Sequence, residues 1–458
     1  MLECSKLKMN KKNKYLYLEV IQLIALILYF HFNIINIGEG GREIGLLVVF
    51  FIITIVMLFL RSFNEIMVIK IHLFVFFMLI IWISIRVITD KADLEFLKQI
   101  TIATTGGMFL FYCIGVALSL SFYRILYIDH SYRPRWLCIY ILFGYGILSF
   151  FVLKIFYENM SESHFYLKNI NGLYQRPGNF LSILFIFISY VYLSVSLSFF
   201  LNKKLIGLLI VSFVYSVLTI VNMVNSQLLG SNSATGVIVS IYVLTIVVMI
   251  YSCSGKIINL YLLNRSRTYF SFFALCRLFL IFMSMAISFI TLLILVSYVI
   301  DFNLNKLNLF GLGAGKITSL TSRFDILASA GLEQMSFSLF WGNIDVAYLT
   351  TGNSGKTLHN FFPFIIANLG VFGFLIVVML FLFVFNEYVK SIRLDCNLSG
   401  LLIYTNSVFN FYSLLIFTFL VIFANFTTDV SWIVLWFFIG FSTRPIMLEK
   451  IHAKKFTF

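Results

Sequence analysis

Charge is what this chain most lacks. Of its 458 residues only 11% are Asp, Glu, Lys or Arg, while 61% are hydrophobic. Soluble domains carry about 25% charged residues, so a water-soluble globular protein is excluded. Proline is nearly missing, with 4 residues, and nothing interrupts the long apolar runs. The runs do not alternate with polar residues, which excludes an outer-membrane barrel. Cys4, Cys113, Cys138, Cys253, Cys276 and Cys396 all fall in predicted cytoplasmic segments or spans. No disulfide framework is implied, and no Cys/His spacing of the metal-binding kind appears. No small-residue cleavage site follows the basic start, Lys6 to Lys14, so no cleavable signal peptide is expected. No internal repeat divides the chain into a transporter's two halves.

What is there is hydrocarbon-soluble helix. A mean hydropathy of +0.99 and 54 phenylalanines predict an all-α polytopic membrane protein with spans of about twenty residues. Twelve spans are expected near 15–36, 44–60, 66–88, 100–122, 136–156, 180–201, 205–224, 236–253, 272–300, 361–385, 401–423 and 429–443. With both termini cytoplasmic, the inner segments hold 20 Lys/Arg against 6 Asp/Glu. The outer segments hold 9 Lys/Arg and a small acidic excess. The net charge of +14 is therefore a positive-inside bias and not a nucleic-acid footprint.

The chain reads as a single membrane domain, 1–458, with its working face outward. Two outward loops are large, 157–179 and 301–360. In the longer one, Ser322-Arg323-Phe324-Asp325 has the form of a capping box. Phe324, Ile326, Leu327 and Ala330 then suit a short amphipathic helix on the membrane surface, weakened by Gly331 near its end. A Gly- and Ser-rich stretch, Thr350 to Lys356, is expected to be irregular. The next span opens at Phe361 with Pro363 in its first turn.

Candidate chemistry gathers at these loops. His359 offers imidazole at an interface, suited to proton transfer or to a plain hydrogen bond with the loop. Asn360 beside it is a contact for substrate or a helix cap. Arg176, directly before a span, is a phosphate ligand or an arginine snorkelling at the interface. Arg323 is a second anion ligand or a partner for Asp325 or Glu333. Arg86 near the outer end of its span faces a cavity on the functional reading, whereas Lys70 snorkels inward. Lys306, Lys316 and Lys356 are weaker cationic candidates, and no paired spacing selects a base among Asp325, Glu333 and Asp345. Phe180, Phe361, Phe362, Trp341 and Tyr348 read mainly as lipid-facing or interfacial. Pro177 and Pro363 flank Arg176 and His359, as if to stiffen the backbone beside a side chain that needs fixed aim.

Three places together resemble the O-antigen polymerase and ligase superfamily, GT-C-like membrane glycosyltransferases. Arg176-Pro177-Gly178-Asn179-Phe180 is similar to the family's Arg–Gly–Asn signature entering a span. Ser231-Asn232-Ser233-Ala234-Thr235-Gly236 is similar to its small-residue turn, although relatives commonly carry an arginine there and this chain does not. Arg323, Leu339-Phe340-Trp341-Gly342, then His359-Asn360 followed by Asn368-Leu369-Gly370 resemble the large-loop pattern of arginine, apolar-glycine and His-Asn before a helix ending in Leu-Gly. The resemblance implies a polyprenyl-pyrophosphate-linked oligosaccharide as donor. Arg176 and Arg323 would hold its pyrophosphate, helped by Asn179, Asn360 and Arg86, and His359 would act on the acceptor hydroxyl. It implies no metal and no cofactor, and a chain-length regulator and a flippase as partners. A Wzy-type polymerase is the first expectation, a WaaL-type ligase transferring to lipid A-core the second, and a polysaccharide flippase the third.

Overall fold

The computed structural model of the chain describes residues 23–35, 70–90, 106–128, 134–159, 175–202, 204–263, 325–344, 358, 360–395, 401–427 and 432–442. Among them 92% are helical and none is in a strand, as the all-α expectation requires. The helices are α1 (Leu23–Ile35), α2 (Lys70–Thr89), α3 (Gly107–Ile128), α4 (Pro134–Glu158), α5 (Gln175–Leu201), α6 (Leu205–Leu228) and α7 (Asn232–Leu263). A short helix, α8, follows as a wide turn Leu327–Gly331 continued by Leu332–Ser336. Then come α9 (Phe361–Asp395), α10 (Leu401–Thr427) and α11 (Ile433–Ser442).

Six of the described helices, α4, α5, α6, α7, α9 and α10, are long and apolar enough to cross a membrane. The apolar stretches of α1, α2, α3 and α11 are shorter over their described residues. The predicted spans 44–60 and 272–300 and both chain ends lie outside the described residues.

The chain groups into two compact units. The first comprises 1–41, 121–315 and 400–412, and the second comprises 42–120, 316–399 and 413–458. In the first unit α5 is central: 94% of its most apolar window is buried, and it packs on α4, α6 and α7. Its buried polar groups pair across helices. Tyr192 bonds Ser212 (3.0 Å), Ser189 bonds Tyr215 (2.7 Å), and Tyr215 and Tyr412 both reach Thr245 (3.2 and 2.7 Å). Tyr145 donates to Asn222 (2.8 Å) and Asn225 to the Ser149 carbonyl (3.1 Å). With apolar surface on every side, these bonds select which helix faces meet, at roughly 0.6 kcal/mol each.

In the second unit α2 packs on α9. Phe76 of α2 lies against Tyr112 of α3 and Trp436 of α11, with ring centroids 5.2 and 5.4 Å apart. Gly115 and Gly440 let α3 and α11 touch backbone to backbone. A Cβ on Gly115 would sit 2.7 Å from the Phe441 nitrogen, and one on Gly440 2.9 Å from the Tyr112 carbonyl carbon.

Two sequence expectations change. The span predicted at 361–385 falls on α9 but is kinked at Gly370, whose φ of 68° and ψ of −175° interrupt the helical ladder. Gly331 does not weaken the surface helix towards an end. The helix widens into a π-turn over Leu327–Gly331 and continues to Ser336. Gly331 is itself buried, and a Cβ there would meet Leu327 at 2.8 Å and Leu358 at 3.5 Å, so it is a packing position.

Candidate functional site

In the first unit, two of the resembling segments meet. Helix α6 ends on Gly230, whose φ of 71° suits only glycine well. The amides of Gly230 and Ser231 turn back to the Gln227 and Ser226 carbonyls (2.8 and 2.9 Å), a Schellman closure. Ser231 then opens α7: its Oγ accepts from the Ala234 amide (3.4 Å) and its carbonyl from the Thr235 amide (3.1 Å). Thr235 is held from behind by Ser226 and Gln227, each at 2.6 Å. The first turn of α5 lies directly on this turn. A Cβ on Gly178 would come within 2.7 Å of Ser231 Cβ, so glycine is what lets the two segments touch.

Arg176 belongs to that first turn of α5 by its backbone, and its side chain lies outside the described residues. Asn179 is half-buried. Phe180 is buried against Phe30, with centroids 5.3 Å apart, and is not the lipid-facing residue expected. Residues 229–236 carry no basic side chain, so any cation at this turn comes from elsewhere.

In the second unit, the turn 337–344 is seated in the break of α9. The Val371 and Phe372 amides donate to the Leu339 and Phe340 carbonyls (2.8 and 3.5 Å), and the Asn343 amide donates to the Ala367 carbonyl (2.9 Å). Gly342 (φ 74°) faces Gly370. A Cβ on either would lie 2.5 Å from backbone atoms of the other segment, so both must be glycine. Leu339-Phe340-Trp341-Gly342 and Asn368-Leu369-Gly370, about thirty residues apart, thus form one interlocked piece.

The end of α2 clamps it. Trp82 Nε1 donates to the Leu369 carbonyl (2.8 Å), and its ring stacks on Trp341 at 5.8 Å. Arg86 Nη2 donates to the Gly342 carbonyl (2.8 Å) and pairs with Asp90 Oδ1. Asp90 Oδ2 accepts the Ile344 amide (2.7 Å). The two side chains are only 11% and 6% exposed. Burial raises the Asp90 carboxyl above its usual 3.8, against the opposing pull of the Ile344 amide and Arg86. Arg86 was expected to face a cavity and bind substrate; its Nη2 is instead committed to holding the turn.

The start of α9 is anchored separately. Asn360, a substrate contact or a helix cap on the sequence reading, is buried, and its side chain donates to the Asn425 carbonyl (3.1 Å). The cap comes from Asn425, whose Oδ1 accepts the Phe362 amide (3.2 Å). Asn360 Oδ1 is buried without a partner. Leu358 and Asn360, the neighbours of His359 in the chain, are both buried. Phe361, expected at the lipid, is buried and stacks on Phe381 at 5.8 Å.

His359, Arg323, Asp345, Tyr348, Lys306, Lys316 and Lys356 lie outside the described residues. Asp325, two residues before α8, and Glu333 on α8 are both exposed. No group of three His, Cys, Asp or Glu positioned to hold a metal occurs among the described residues. Sequence reading missed Trp82, Asp90 and Asn425. Only Asp90 had a local signal, four residues after Arg86 on one helix face.

No protein-family model, curated protein or solved structure matches this chain.

Proposed function

We propose that this chain is a membrane glycosyltransferase that joins polyprenyl-pyrophosphate-linked oligosaccharide repeats of an O-antigen or capsular polysaccharide. It would work on the outer face of a bacterial plasma membrane, from a GT-C-like plan of twelve spans with both termini cytoplasmic. The observation that carries the reading is the pairing of segments distant in sequence. The Arg176–Phe180 segment lies on the Ser231–Thr235 turn, and Leu339–Gly342 interlocks with Asn368–Gly370. The segments that carry the resemblance are thus the ones whose glycines touch, in each unit by itself.

On this reading Arg176 and Arg323 hold the donor pyrophosphate and offset charge on it as it leaves. His359 takes the proton of the acceptor hydroxyl while that oxygen attacks the anomeric carbon. The bond from that carbon to the pyrophosphate oxygen breaks, and polyprenyl pyrophosphate departs. Asn179 contributes a contact to substrate, and Asn360 acts at one remove, through the start of α9 that it anchors. Arg86 acts at one remove, through the turn it fixes.

The test is deletion followed by a surface-glycan gel, with complementation by His359→Ala, Arg176→Ala and Arg323→Ala. Each variant should leave single repeats attached to the lipid A-core and lose the long chains. No repeat attached at all would mark a ligase instead. Unchanged chain lengths in all three variants overturn the site.

A further inference from the structure

The turn 337–344 sits against the middle of an apolar helix long enough to cross a membrane. Gly370, which faces Gly342, is nine residues from the start of α9, and the turn's own bonds to α2 are to Arg86 and Asp90 at the end of that helix. At about 1.5 Å of rise per residue the turn is roughly 14 Å along α9 from its start. Irregular backbone survives at that depth only where its polar groups are paired inside the protein.

Much of this turn meets that condition. The carbonyls of Ser338, Leu339, Phe340 and Gly342 all accept bonds, from Gly342, Val371, Phe372 and Arg86. The amides of Asn343 and Ile344 donate to Ala367 and Asp90. Its outward side chains are apolar: Phe337, Leu339, Phe340 (60% exposed) and Trp341 (55% exposed). They continue two exposed apolar stripes, Phe74, Phe77, Ile81, Ile85 and Ile88 on α2 and Phe372, Leu375, Met379 and Leu382 on α9.

We propose that residues 337–342 form a re-entrant turn whose Leu339, Phe340 and Trp341 side chains lie among lipid acyl chains, in the leaflet on the side of Asp90 and Asn360. The occupant is lipid because a water-facing turn has no need to pair so many backbone groups internally. Nor would one present an apolar row that joins the exposed apolar stripes of α2 and α9. The inference is independent of the proposed reaction.

The test is tryptophan quenching of the full-length protein in phosphatidylcholine vesicles. Emission of wild type minus Trp341→Phe isolates Trp341, and Phe340→Trp in the Trp341→Phe background supplies a second reporter one residue away. Bromines at mid-acyl positions should cause a larger loss of both signals than aqueous iodide does. Quenching by iodide with silent acyl bromines would place the turn in water, as for a glycan-binding face, and overturn the proposal. Quenching by neither would mean that protein covers the turn, which overturns it equally.

Discussion

Asp90 accepts the Ile344 amide with one oxygen and pairs with Arg86 through the other, in a nearly closed environment. Removing one partner of such a buried pair typically costs about 3–5 kcal/mol, because the other charge is left buried and uncompensated. Asp90→Ala should therefore strongly destabilise the protein, and Asp90→Asn, which still accepts the Ile344 amide but leaves the Arg86 charge unpaired, should lose less in thermal unfolding. The raised carboxyl adds a pH signature. The native state holds that proton more tightly than the unfolded chain, so its contribution is fully present below 3.8 and is lost as pH rises through the higher folded value. Wild type should gain stability relative to Asp90→Asn on acidification into that window, and parallel profiles for the two proteins would disprove it. The pair was legible in sequence, being four residues apart on one helix. What it grips was not, because Gly342 and Ile344 lie more than 250 residues away and carry no local mark of it.

Glycine decides the element scale. Gly342 and Gly370 both adopt positive φ and each sits against the other's backbone. An alanine at either position costs about 1–3 kcal/mol for the positive-φ backbone and about 1–3 kcal/mol more for overpacking. Gly342→Ala and Gly370→Ala should each lower thermal stability sharply. The double variant should cost less than the sum, since one displacement opens the interlock for both. Additive losses would mean that the two glycines act separately. Long apolar helices were readable from composition, and the small-residue turn that opens α7 was implied by the resemblance. The break in α9 was marked only by the resemblance, with its helix ending in Leu-Gly; by residue pattern, Leu-Gly within an apolar run fits a tolerated helical glycine as well as a kink. The prolines were read too generously. Pro134, Pro177 and Pro363 all fall in the first turn of a helix, and Pro134 starts α4, which carries no candidate residue. Their shared placement is that of helix starters, so their closeness to Arg176 and His359 adds nothing to the case for either.

At the scale of the whole molecule, function hangs on which way the helices run. Within the first unit, α5 and α6 are joined by Asn202-Lys203-Lys204, a basic link, while α6 and α7 are joined by the uncharged turn at Gly230 and Ser231. The start of α5 lies against that uncharged turn, so Arg176 and Ser231 belong to one end of the helices and Lys204 to the other. Lys and Arg in short connectors set orientation because their translocation is unfavourable, and acidic residues contribute little. The basic link should therefore be cytoplasmic and the Ser231 turn outward. Asn202→Cys and Ser233→Cys, each compared with the parent protein, separate the two ends with a membrane-impermeant maleimide. Ser233→Cys should react in intact cells and Asn202→Cys only after lysis. The reverse pattern would put Arg176 on the cytoplasmic side, and an outward-acting polymerase could not use it. In that case the paired segments would remain a structural fact of the bundle, with the proposed reaction removed from them.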